Sequence, residues 1–332
     1  MLISKTPYRI SLAGGGSDFP GWYNEHGGIV VSATINKYCY TTIRELPNFF
    51  PIKNRIVYGK IELTNDISSI EHPVVRALLT ENGVHLGYEI HHFGDLPARS
   101  GIGSSSAFTV GLINALAYMN GREISKYELA QKAIHLEQVV LQESVGSQDQ
   151  VASAFGGFNK IEFSKSGFNV EPVKIEKSRL QLLEKSLVLV YTGLARTASE
   201  IEKEKISRMI ANEVKFDDAV KQAYEVEKIL MDGSRNILDI GDILNEGWQK
   251  KKKLSSAVST SEIDSVYENG LSSGAIGGKL IGAGGGGFFL FCVEGSREQF
   301  IDKMNNYICI PIEFDFDGST VFELEKVKEI NK

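Results

Sequence analysis

The segment from Leu96 to Leu116 holds the residues whose types and spacing most clearly indicate chemistry. Two glycines and three serines stand there directly before a run of apolar residues at helical spacing, namely Gly101, Gly103, Ser104, Ser105 and Ser106. Glycines allow positive φ and close backbone approach, and the free N–H groups at the start of a helix attract anions. These residues, with Ile102 between the glycines, predict a phosphate-binding loop. A serine N-cap after a glycine turn is the alternative interpretation.

The residues after this loop exclude two better-known nucleotide sites. A Walker A loop needs a lysine after its last glycine, and here Gly103 is followed by three serines. The dinucleotide fingerprint G-x-G-x-x-G fails as well, because position 106 is serine. A dehydrogenase built on a glycine loop is therefore the poorer alternative, and a less common kind of phosphate loop remains.

A second glycine segment lies at the end of the first predicted strand, Ile3 to Ala13. It consists of Gly14, Gly15 and Gly16, followed by Ser17 and Asp18. Three consecutive glycines indicate either a flexible turn or a place where a ligand meets bare backbone. Arg9 lies inside the strand, and a buried arginine needs an anionic partner. That partner is either a carboxylate of the protein or the phosphate of a ligand.

Two carboxylates in the middle of the chain are candidates for catalysis. Glu137 falls near the end of a helix predicted over residues 125–143. Ser147 and Gln150 form a capping-box pattern, which places Asp149 in the first turn of the next helix and favours its ionised form. Judged from these residues alone, a surface charge at Glu137 and a helix-dipole partner at Asp149 are the favoured interpretations.

A third glycine segment lies near the C-terminal end of the chain, between two apolar runs. It contains four consecutive glycines, Gly284 to Gly287. This number is too large for a two-residue hairpin turn. The segment therefore predicts that backbone comes close to a ligand or to other backbone.

The basic residues do not indicate nucleic-acid binding, because the net charge is −6 and the basic runs are short. The cluster Lys250 to Lys253 is interpreted as the solvated end of a helix rather than as a binding patch. Arg196 lies in a loop that follows a short apolar strand and opens a helix. A surface arginine is the alternative to a binding role there.

The composition is that of an ordinary globular protein, with 42% apolar and 23% charged residues. Its 332 residues fit two domains of roughly 100–200 residues each. We expect a cytoplasmic protein without a membrane span, because no window of about 18 apolar residues and no secretory signal is found. Three widely spaced cysteines are typical of a reducing compartment.

The elements that must position these residues follow an α+β pattern. Strands are predicted over residues 3–13, 27–46, 88–93, 158–175 as a hairpin, 187–191, 310–314 and 320–324. Helices are predicted over residues 72–82, 125–143, 197–232, 237–257 and 296–306. We place an N-terminal domain at residues 1–184 and a C-terminal domain at residues 185–332.

The three glycine segments, in this order and spacing, resemble those of the GHMP small-molecule kinases. They read PYRISLAGGGSD, LPARSGIGSSSA and KLIGAGGGGFFLF, and the resemblance covers essentially the whole chain. It implies a two-domain α+β fold with mixed sheets and helices, in which the phosphate loop at a helix N-terminus belongs to the N-terminal domain. It also implies a ferredoxin-like C-terminal domain, with ATP and Mg²⁺ as cofactors.

Within this family, the segments AGGGSD, HGGIVVSATINKY and TGLAR are most similar to those of D-glycero-D-manno-heptose 7-phosphate kinases. Such an enzyme transfers phosphate from ATP to the anomeric hydroxyl and makes the 1,7-bisphosphate for nucleotide-activated heptose and surface polysaccharide. Fucokinases share part of the pattern and are the competing alternative, and a non-catalytic nucleotide or sugar sensor is the alternative of another class. The implied partners are a sugar phosphate and ATP. Assembly as a homodimer is left open.

The resemblance also implies a role for each matching position. Asp149 matches the catalytic aspartate, and Arg9 matches the basic residue beside the transferred phosphate. Ser105 and Glu137 match the residues that hold Mg²⁺. The loop around the ATP phosphates is formed by Gly101, Ile102, Gly103, Ser104, Ser105 and Ser106. The substrate-binding positions are Gly15, Gly16, Ser17, Asp18, Gly284 and Gly285. A substrate that already carries a phosphate needs a second basic site, and Arg99 and Arg196 are the candidates for it because arginine holds phosphate bidentately.

Overall fold

Two β-sheets with covering helices form the structure, a computed structural model that describes residues 1–81, 83, 87–194, 214–255 and 257–324. The strands of the larger sheet are β1 (Leu2–Ala13), β2 (Gly28–Leu46), β3 (Asn54–Val57), β4 (Ile61–Thr64), β5 (Gly87–Gly94), β6 (Phe158–Ser164), β7 (Gly167–Pro172) and β12 (Thr320–Glu323). Their order is β12-β1-β2-β5-β3-β4, and β6 pairs with β2 and with β7. Among the strands of this sheet that the structure describes, only β3 and β5 pair in parallel, so the sheet is mixed.

The helices between these strands are α1 (Pro20–His26), α2 (Pro73–Glu81), α3 (Ser104–Met119), α4 (Lys126–His135), α5 (Gln148–Phe155) and α6 (Lys177–Ser186). A 3₁₀ turn at Ile67–Ser69 and a π turn at Leu136–Val140 complete this part. Helix α3 contacts β1, β2 and α5 and is buried along most of its length. The loop at its start is thereby held against the core.

The smaller sheet consists of β8 (Leu187–Tyr191), β9 (Ala275–Leu280), β10 (Phe288–Val293) and β11 (Ile308–Pro311). Its strands are antiparallel in the order β11-β8-β10-β9. The accompanying helices are α7 (Val214–Met231), α8 (Ile240–Lys252), α9 (Ser261–Ser273) and α10 (Arg297–Lys303), with a 3₁₀ turn at Ile237–Asp239 before α8. Numbered along the chain, the strands follow the order four, one, three, two, which is the ferredoxin-like arrangement. The predicted class of the C-terminal sheet is confirmed.

Strand β1 is buried at almost every position because elements of both halves cover it. Helix α3 of the N-terminal half contacts this strand, and so do α7 and α8 of the C-terminal half. Its pairing with β2 shifts register between Pro7 and Arg9, which changes the direction of the side chains near Arg9. The strand thus brings an arginine to the region where the two halves meet.

The chain passes between the two sheets twice. Helix α6 runs into β8 at residues 186 and 187, and after β11 the chain returns to pair β12 with β1. The two crossings are bonded to each other, because the Phe314 N–H donates to Glu184 Oε1 at 2.6 Å. The Arg297 guanidinium also donates to the carbonyls of Glu184 and Ile312, at 3.2 and 3.3 Å. The domain boundary at residues 184 and 185 stays a prediction. The last strand of the described chain, β12, belongs to the larger sheet and not to the smaller one.

Most predicted elements agree with the structure, and two details of the helices around the candidate carboxylates are wrong. The helix predicted over 125–143 ends at His135 and continues as the π turn, although Ser125 caps its start as expected. The second capping box does not form, because Ser147 makes no side-chain cap bond to α5. No helix in the described ranges is both long and apolar enough to cross a membrane.

Candidate active site

The centre of the candidate site is an ion pair between the buried Arg9 and the partly exposed Asp149. Arg9 Nε donates to Asp149 Oδ1 at 2.6 Å, and Arg9 Nη2 donates to Asp149 Oδ2 at 2.7 Å. The third guanidinium nitrogen, Nη1, donates to the carbonyl of Gly101 at 2.6 Å. Arg9 is 4% exposed, so its charge depends on these partners. Of the two partners expected for this arginine, the structure shows the carboxylate.

Both members of the pair are positioned by regular structure. Arg9 lies on β1, and its backbone N–H donates to the carbonyl of Ile102 at 3.2 Å. Asp149 lies in the first turn of α5, as predicted. A Cβ at Gly103 would lie 3.1 Å from Asp149 Oδ2, so the loop approaches the carboxylate with little space between them. The arginine, the aspartate and the loop therefore form one rigid group.

The predicted phosphate loop has the expected backbone. Gly101 and Gly103 have φ values of 83° and 77°, and Gly103 forms the N-cap of α3. Ile102 is fully buried and anchors the loop in the core. Ser104 and Ser106 are buried, whereas Ser105 is exposed. The first turn of α3 thus presents its N–H groups next to the Arg9–Asp149 pair.

Glu137 is the second carboxylate of the site, and the expectation of a surface charge is wrong. It is 1% exposed because the π turn directs it inwards behind α3. Its Oε2 accepts hydrogen bonds from Ser106 Oγ at 2.8 Å and from Gln150 Nε2 at 2.5 Å. Its Oε1 is buried without a hydrogen-bond partner in the described structure. Burial raises the pKa of Glu137 to about 7, although these hydrogen bonds act in the opposite direction.

Asp18 is the third carboxylate, and it belongs to the first glycine segment. It is 1% exposed, and it accepts hydrogen bonds from the Gly16 N–H at 2.8 Å and the Gln148 N–H at 3.2 Å. Burial raises its pKa, while these two N–H groups lower it. Ser17 has another role, because its hydroxyl donates to the carbonyl of Gly14 at 2.8 Å and is fully buried. Ser17 stabilises the turn, and Asp18 is held close to Asp149 through Gln148.

A cavity of about 390 Å³ connects these groups. Predicted residues that line it are Arg9, Gly15, Gly16, Asp18, Arg99, Gly101, Gly103, Ser104, Ser105, Ser106, Glu137 and Asp149. Four predicted residues do not line it, namely Ser17, Ile102, Gly284 and Gly285. Arg196 lies outside the described residues. Most of the predicted residues, although they are far apart in the sequence, therefore surround one space.

The third glycine segment supports the site from behind. Of the alternatives predicted for it, the structure shows contact with other backbone. A Cβ at Gly287 would lie 2.2 Å from the Ser100 carbonyl oxygen, and one at Gly282 would lie 2.4 Å from the Cα of Gly101. Gly284 lies against Val258, and the Gly285 N–H donates to the Val258 carbonyl at 2.9 Å, so the substrate-binding role of these two glycines stays a prediction. The segment presses the C-terminal half against the phosphate loop.

The lysine cluster forms the end of a helix, as predicted, because Lys250, Lys251 and Lys252 occupy the last turn of α8. The structure adds that Lys250, Lys251 and Lys253 line the cavity together with Lys279 of β9. A signal was present in the sequence, because Gly247, Lys250, Lys251 and Leu254 follow the helical spacing of three, four and seven residues and share one face of α8. The missing information was which element this face would meet.

Comparisons with known proteins agree with this architecture. The descriptions "GHMP kinases N terminal domain" and "GHMP kinases C terminal" match residues 69–157 and 225–308. A D-glycero-alpha-D-manno-heptose 7-phosphate kinase of Campylobacter jejuni is 32% identical over 318 residues, with 91% of this chain and 92% of that protein covered. A bifunctional fucokinase/GDP-fucose pyrophosphorylase of Arabidopsis thaliana is 27% identical, with 88% of this chain and 30% of that protein covered.

A solved structure agrees over nearly the full chain. It is a D-glycero-D-manno-heptose 1-phosphate kinase from Bacteriodes thetaiotaomicron with a TM-score of 0.79, 28% identity and coverage of 98% of this chain and 100% of that one. The N-terminal match contains the phosphate loop and both Glu137 and Asp149, and the C-terminal match contains α8 and the third glycine segment. The predicted family and its two-domain α+β fold are confirmed. The chain therefore belongs to the GHMP kinase family, and it is a phosphotransferase.

Proposed function

We propose that this enzyme is an ATP-dependent sugar kinase that phosphorylates the anomeric hydroxyl of D-glycero-D-manno-heptose 7-phosphate, which yields the 1,7-bisphosphate. The observation that carries the proposal is the Arg9–Asp149 pair beside the N-terminus of α3 in one cavity. The similarity to the heptose 7-phosphate kinase of Campylobacter jejuni over most of both chains supports the choice of sugar.

The residues in the cavity suit phosphoryl transfer, which depends on positioning and on neutralising charge across the phosphate oxygens. The N–H groups of the loop at Gly101 to Ser106 would bind the ATP phosphates. Asp149 would align the sugar hydroxyl and accept its proton, and Arg9 would hold Asp149 in that orientation. Asp18 would accept a hydrogen bond from another sugar hydroxyl, since it is buried beside the same helix start.

The residues present also fit a Mg²⁺ ion. Mg²⁺ prefers oxygen ligands and is bound by one or two carboxylates in kinases. Glu137 has a buried carboxylate oxygen without a hydrogen-bond partner in the described structure, and Ser106 lies next to it, with Ser105 one residue away. Glu137 and Ser105 are proposed to hold the ion. When bound, it would neutralise charge on the β- and γ-phosphate oxygens.

A fucokinase-like activity is the second candidate within the same class. It is supported by the bifunctional fucokinase relative, whose similarity covers 88% of this chain. A non-catalytic sensor is a weaker alternative, because a sensor has little need for the buried Arg9 and Glu137 together with Asp149. A cytoplasmic location and a homodimer stay predictions.

The test is a panel of sugars and sugar phosphates offered with Mg²⁺ and ATP, with the position of the new phosphate read by phosphorus NMR. We expect heptose 7-phosphate to give the highest kcat/KM and a phosphate at the anomeric carbon. Higher kcat/KM with fucose would favour the fucokinase alternative. If no acceptor in the panel leads to ATP consumption, the proposal of a sugar kinase is contradicted.

A further inference from the structure

A buried glutamine directly follows the candidate catalytic aspartate. Gln150 lies in the first turn of α5 and is fully buried. Its Nε2 donates to Glu137 Oε2 at 2.5 Å, and its Oε1 is buried without a hydrogen-bond partner in the part of the chain that the structure describes. A buried polar group without a partner costs about 1–3 kcal/mol. An apolar side chain of similar size would avoid this cost, so packing alone does not explain the amide.

Gln150 links the two carboxylates Asp149 and Glu137. Asp149 and Gln150 are consecutive residues of one helix, so their side chains leave it in directions about 100° apart. Asp149 meets Arg9, whereas Gln150 meets Glu137 on the π turn. The first turn of α5 therefore fixes the positions of both carboxylates relative to each other.

Another donor acts on the same oxygen of Glu137. Ser106 Oγ, in the first turn of α3, donates to Glu137 Oε2 at 2.8 Å. The last torsion of a glutamate side chain is broad and roughly two-fold, so a single donor would allow the carboxylate to turn. Donors from two helices hold Oε2 between them. The other oxygen, Oε1, stays outside both bonds, and the side chain lines the cavity.

The backbone of the π turn is fixed by other residues. Gln138 Nε2 donates to the Val145 carbonyl and to Ser147 Oγ, both at 3.0 Å. These bonds tie the turn to the residues before α5 without the amide of Gln150. Loss of that amide would therefore release the side chain of Glu137 rather than its backbone. Turns of the π type inside helices are frequent at functional sites.

The two carboxylates also differ in the charge of their partners. Asp149 is paired with the guanidinium of Arg9. Glu137 accepts from the hydroxyl of Ser106 and the amide of Gln150, which are neutral. Neutral donors orient a carboxylate without placing a positive charge beside it. The negative charge of Glu137 is thus left for a cation.

We propose that Gln150 is a positioning residue that holds the Glu137 carboxylate in the orientation in which it binds the divalent cation. The inference rests on the proposed function, because that function assigns Glu137 to Mg²⁺. Gln150 acts through Glu137 and takes no part in the transfer itself. One turn of α5 then supplies both the carboxylate that aligns the sugar and the amide that orients the metal ligand.

The test measures the effect of Mg²⁺ on nucleotide binding, without turnover. A non-hydrolysable ATP analogue is titrated calorimetrically into each variant, once with Mg²⁺ and once with EDTA. Gln150→Met keeps the size of the side chain but removes the donor. We expect its Kd for the Mg²⁺ form to rise about tenfold to a hundredfold, the usual loss when a residue that holds a metal ligand is changed. Its Kd in EDTA should stay the same.

Steady-state kinetics separate positioning from a structural defect. In Gln150→Met the Mg²⁺ concentration for half-maximal turnover should rise by a similar factor, whereas kcat at saturating Mg²⁺ should stay within about threefold of the wild type. A distorted α5 would lower kcat at every Mg²⁺ concentration, because Asp149 lies on the same turn, and this result would overturn the proposal. Gln150→Asn, whose amide is one methylene shorter, provides the same test if the methionine variant does not fold.

Ser153→Ala is the matched control. Ser153 is a fully buried residue of the same helix, but its Oγ donates to the Pro7 carbonyl at 3.1 Å. We expect this variant to keep the Mg²⁺ dependence of the wild type. An equal loss in Ser153→Ala and Gln150→Met would assign the effect to the packing of α5 and overturn the proposal. Wild-type affinity for the Mg²⁺ form in both Gln150 variants would overturn it as well.

Glu137→Gln separates this inference from the proposed function. If Gln150 acts through Glu137, Gln150→Met should add no further loss of affinity in the Glu137→Gln background, and an added loss would contradict the positioning role. If Glu137→Gln binds the Mg²⁺ form as tightly as the wild type, the assignment of Glu137 to the ion falls together with this inference. If Glu137→Gln loses affinity and the Gln150 variants do not, only the role of Gln150 falls.

Discussion

The two walls of the cavity differ in how their charged groups are held. On the N-terminal wall, Arg9, Asp149 and Glu137 are tied to one another or to neighbouring side chains, and Arg9 and Glu137 are almost fully buried. On the C-terminal wall, Lys251 and Lys279 are held by backbone carbonyls, and Lys253 is exposed. A reacting group must be desolvated and fixed in advance, and Arg9 and Glu137 meet both conditions.

The contrast predicts that changes in the two walls affect kcat differently. Changes in the N-terminal wall should lower kcat, because they remove interactions that act during transfer. Changes in the C-terminal wall should lower kcat less, because Lys251 and Lys279 donate to backbone carbonyls and not to the reacting groups. A C-terminal variant that lowers kcat as much as an N-terminal one would break the comparison.

The largest effect is expected for Asp149→Asn on the N-terminal wall. An amide cannot accept the proton of the sugar hydroxyl, so turnover should fall by roughly 10²–10⁴, the usual contribution of a positioned acid or base. The measurement is kcat together with the dissociation constant of ATP, which should stay unchanged. Turnover near the wild-type level with ATP affinity intact would remove Asp149 from the mechanism. Asp218→Asn, which changes a cavity carboxylate paired with Lys250, is the control.

A smaller effect is expected from Glu137, on the free energy of unfolding of the metal-free protein. Its folded pKa of about 7 lies above the usual value of 4.5, so the folded state favours the protonated form. The protonated carboxyl group contributes about 3 kcal/mol to the free energy of unfolding. This contribution is fully present below about pH 4.5 and is lost as the pH rises through 7. Wild-type stability should therefore decrease between pH 5 and pH 8 in EDTA.

Glu137→Gln should remove this pH dependence, because glutamine carries no proton that folding can retain. Thermal melting at several pH values checks it, with the exposed Glu268→Gln as the control variant. The variant should also lose Mg²⁺-dependent turnover if Glu137 holds the ion. A wild-type melting temperature that rises with pH over this range would contradict the buried, protonated carboxyl group.

The smallest effect concerns the contact between the two walls. Gly287 has a φ of 100°, and a Cβ there would lie 2.2 Å from a backbone oxygen of Ser100. Gly295 has a φ of 81° and no atom within 4 Å of its Cβ position. We expect Gly295→Ala to cost about 1 kcal/mol through backbone strain and Gly287→Ala about 2 kcal/mol more through the clash. Urea unfolding of both variants measures the difference, and equal costs would contradict a tight contact.

Much of the N-terminal wall could be predicted from the sequence, because its signals are local. The glycines at 101 and 103 need left-handed backbone, and a serine run before an apolar helix indicates a helix N-terminus. The length of β1 and its alternation of apolar and polar residues also predict a strand from the sequence. The resemblance of three motifs then placed Asp149 and Arg9 together, and the structure brings them into a bidentate contact.

The parts that sequence reasoning missed depend on long-range packing. Glu137 looked like a surface residue because its helix is amphipathic, and the π turn that buries it has no simple sequence signal. The lysines of α8 are interpreted as solvated from the sequence because nothing local shows that their helix face lines a cavity shared with the N-terminal half. Gly284 carries the motif of a binding loop, and nothing in the sequence shows that it also packs against Val258.

The bonded pair of chain crossings has a mechanical consequence for the cavity. Glu184 and Arg297 join the crossing at residues 186 and 187 to the return segment before β12, so both connections lie at one place. The third glycine segment meets Ser100 and Gly101 at a second place, so the two halves are held together both at the crossings and at the phosphate loop. Each contact therefore limits how far the halves can move at the other, which keeps the cavity between them at a fixed width.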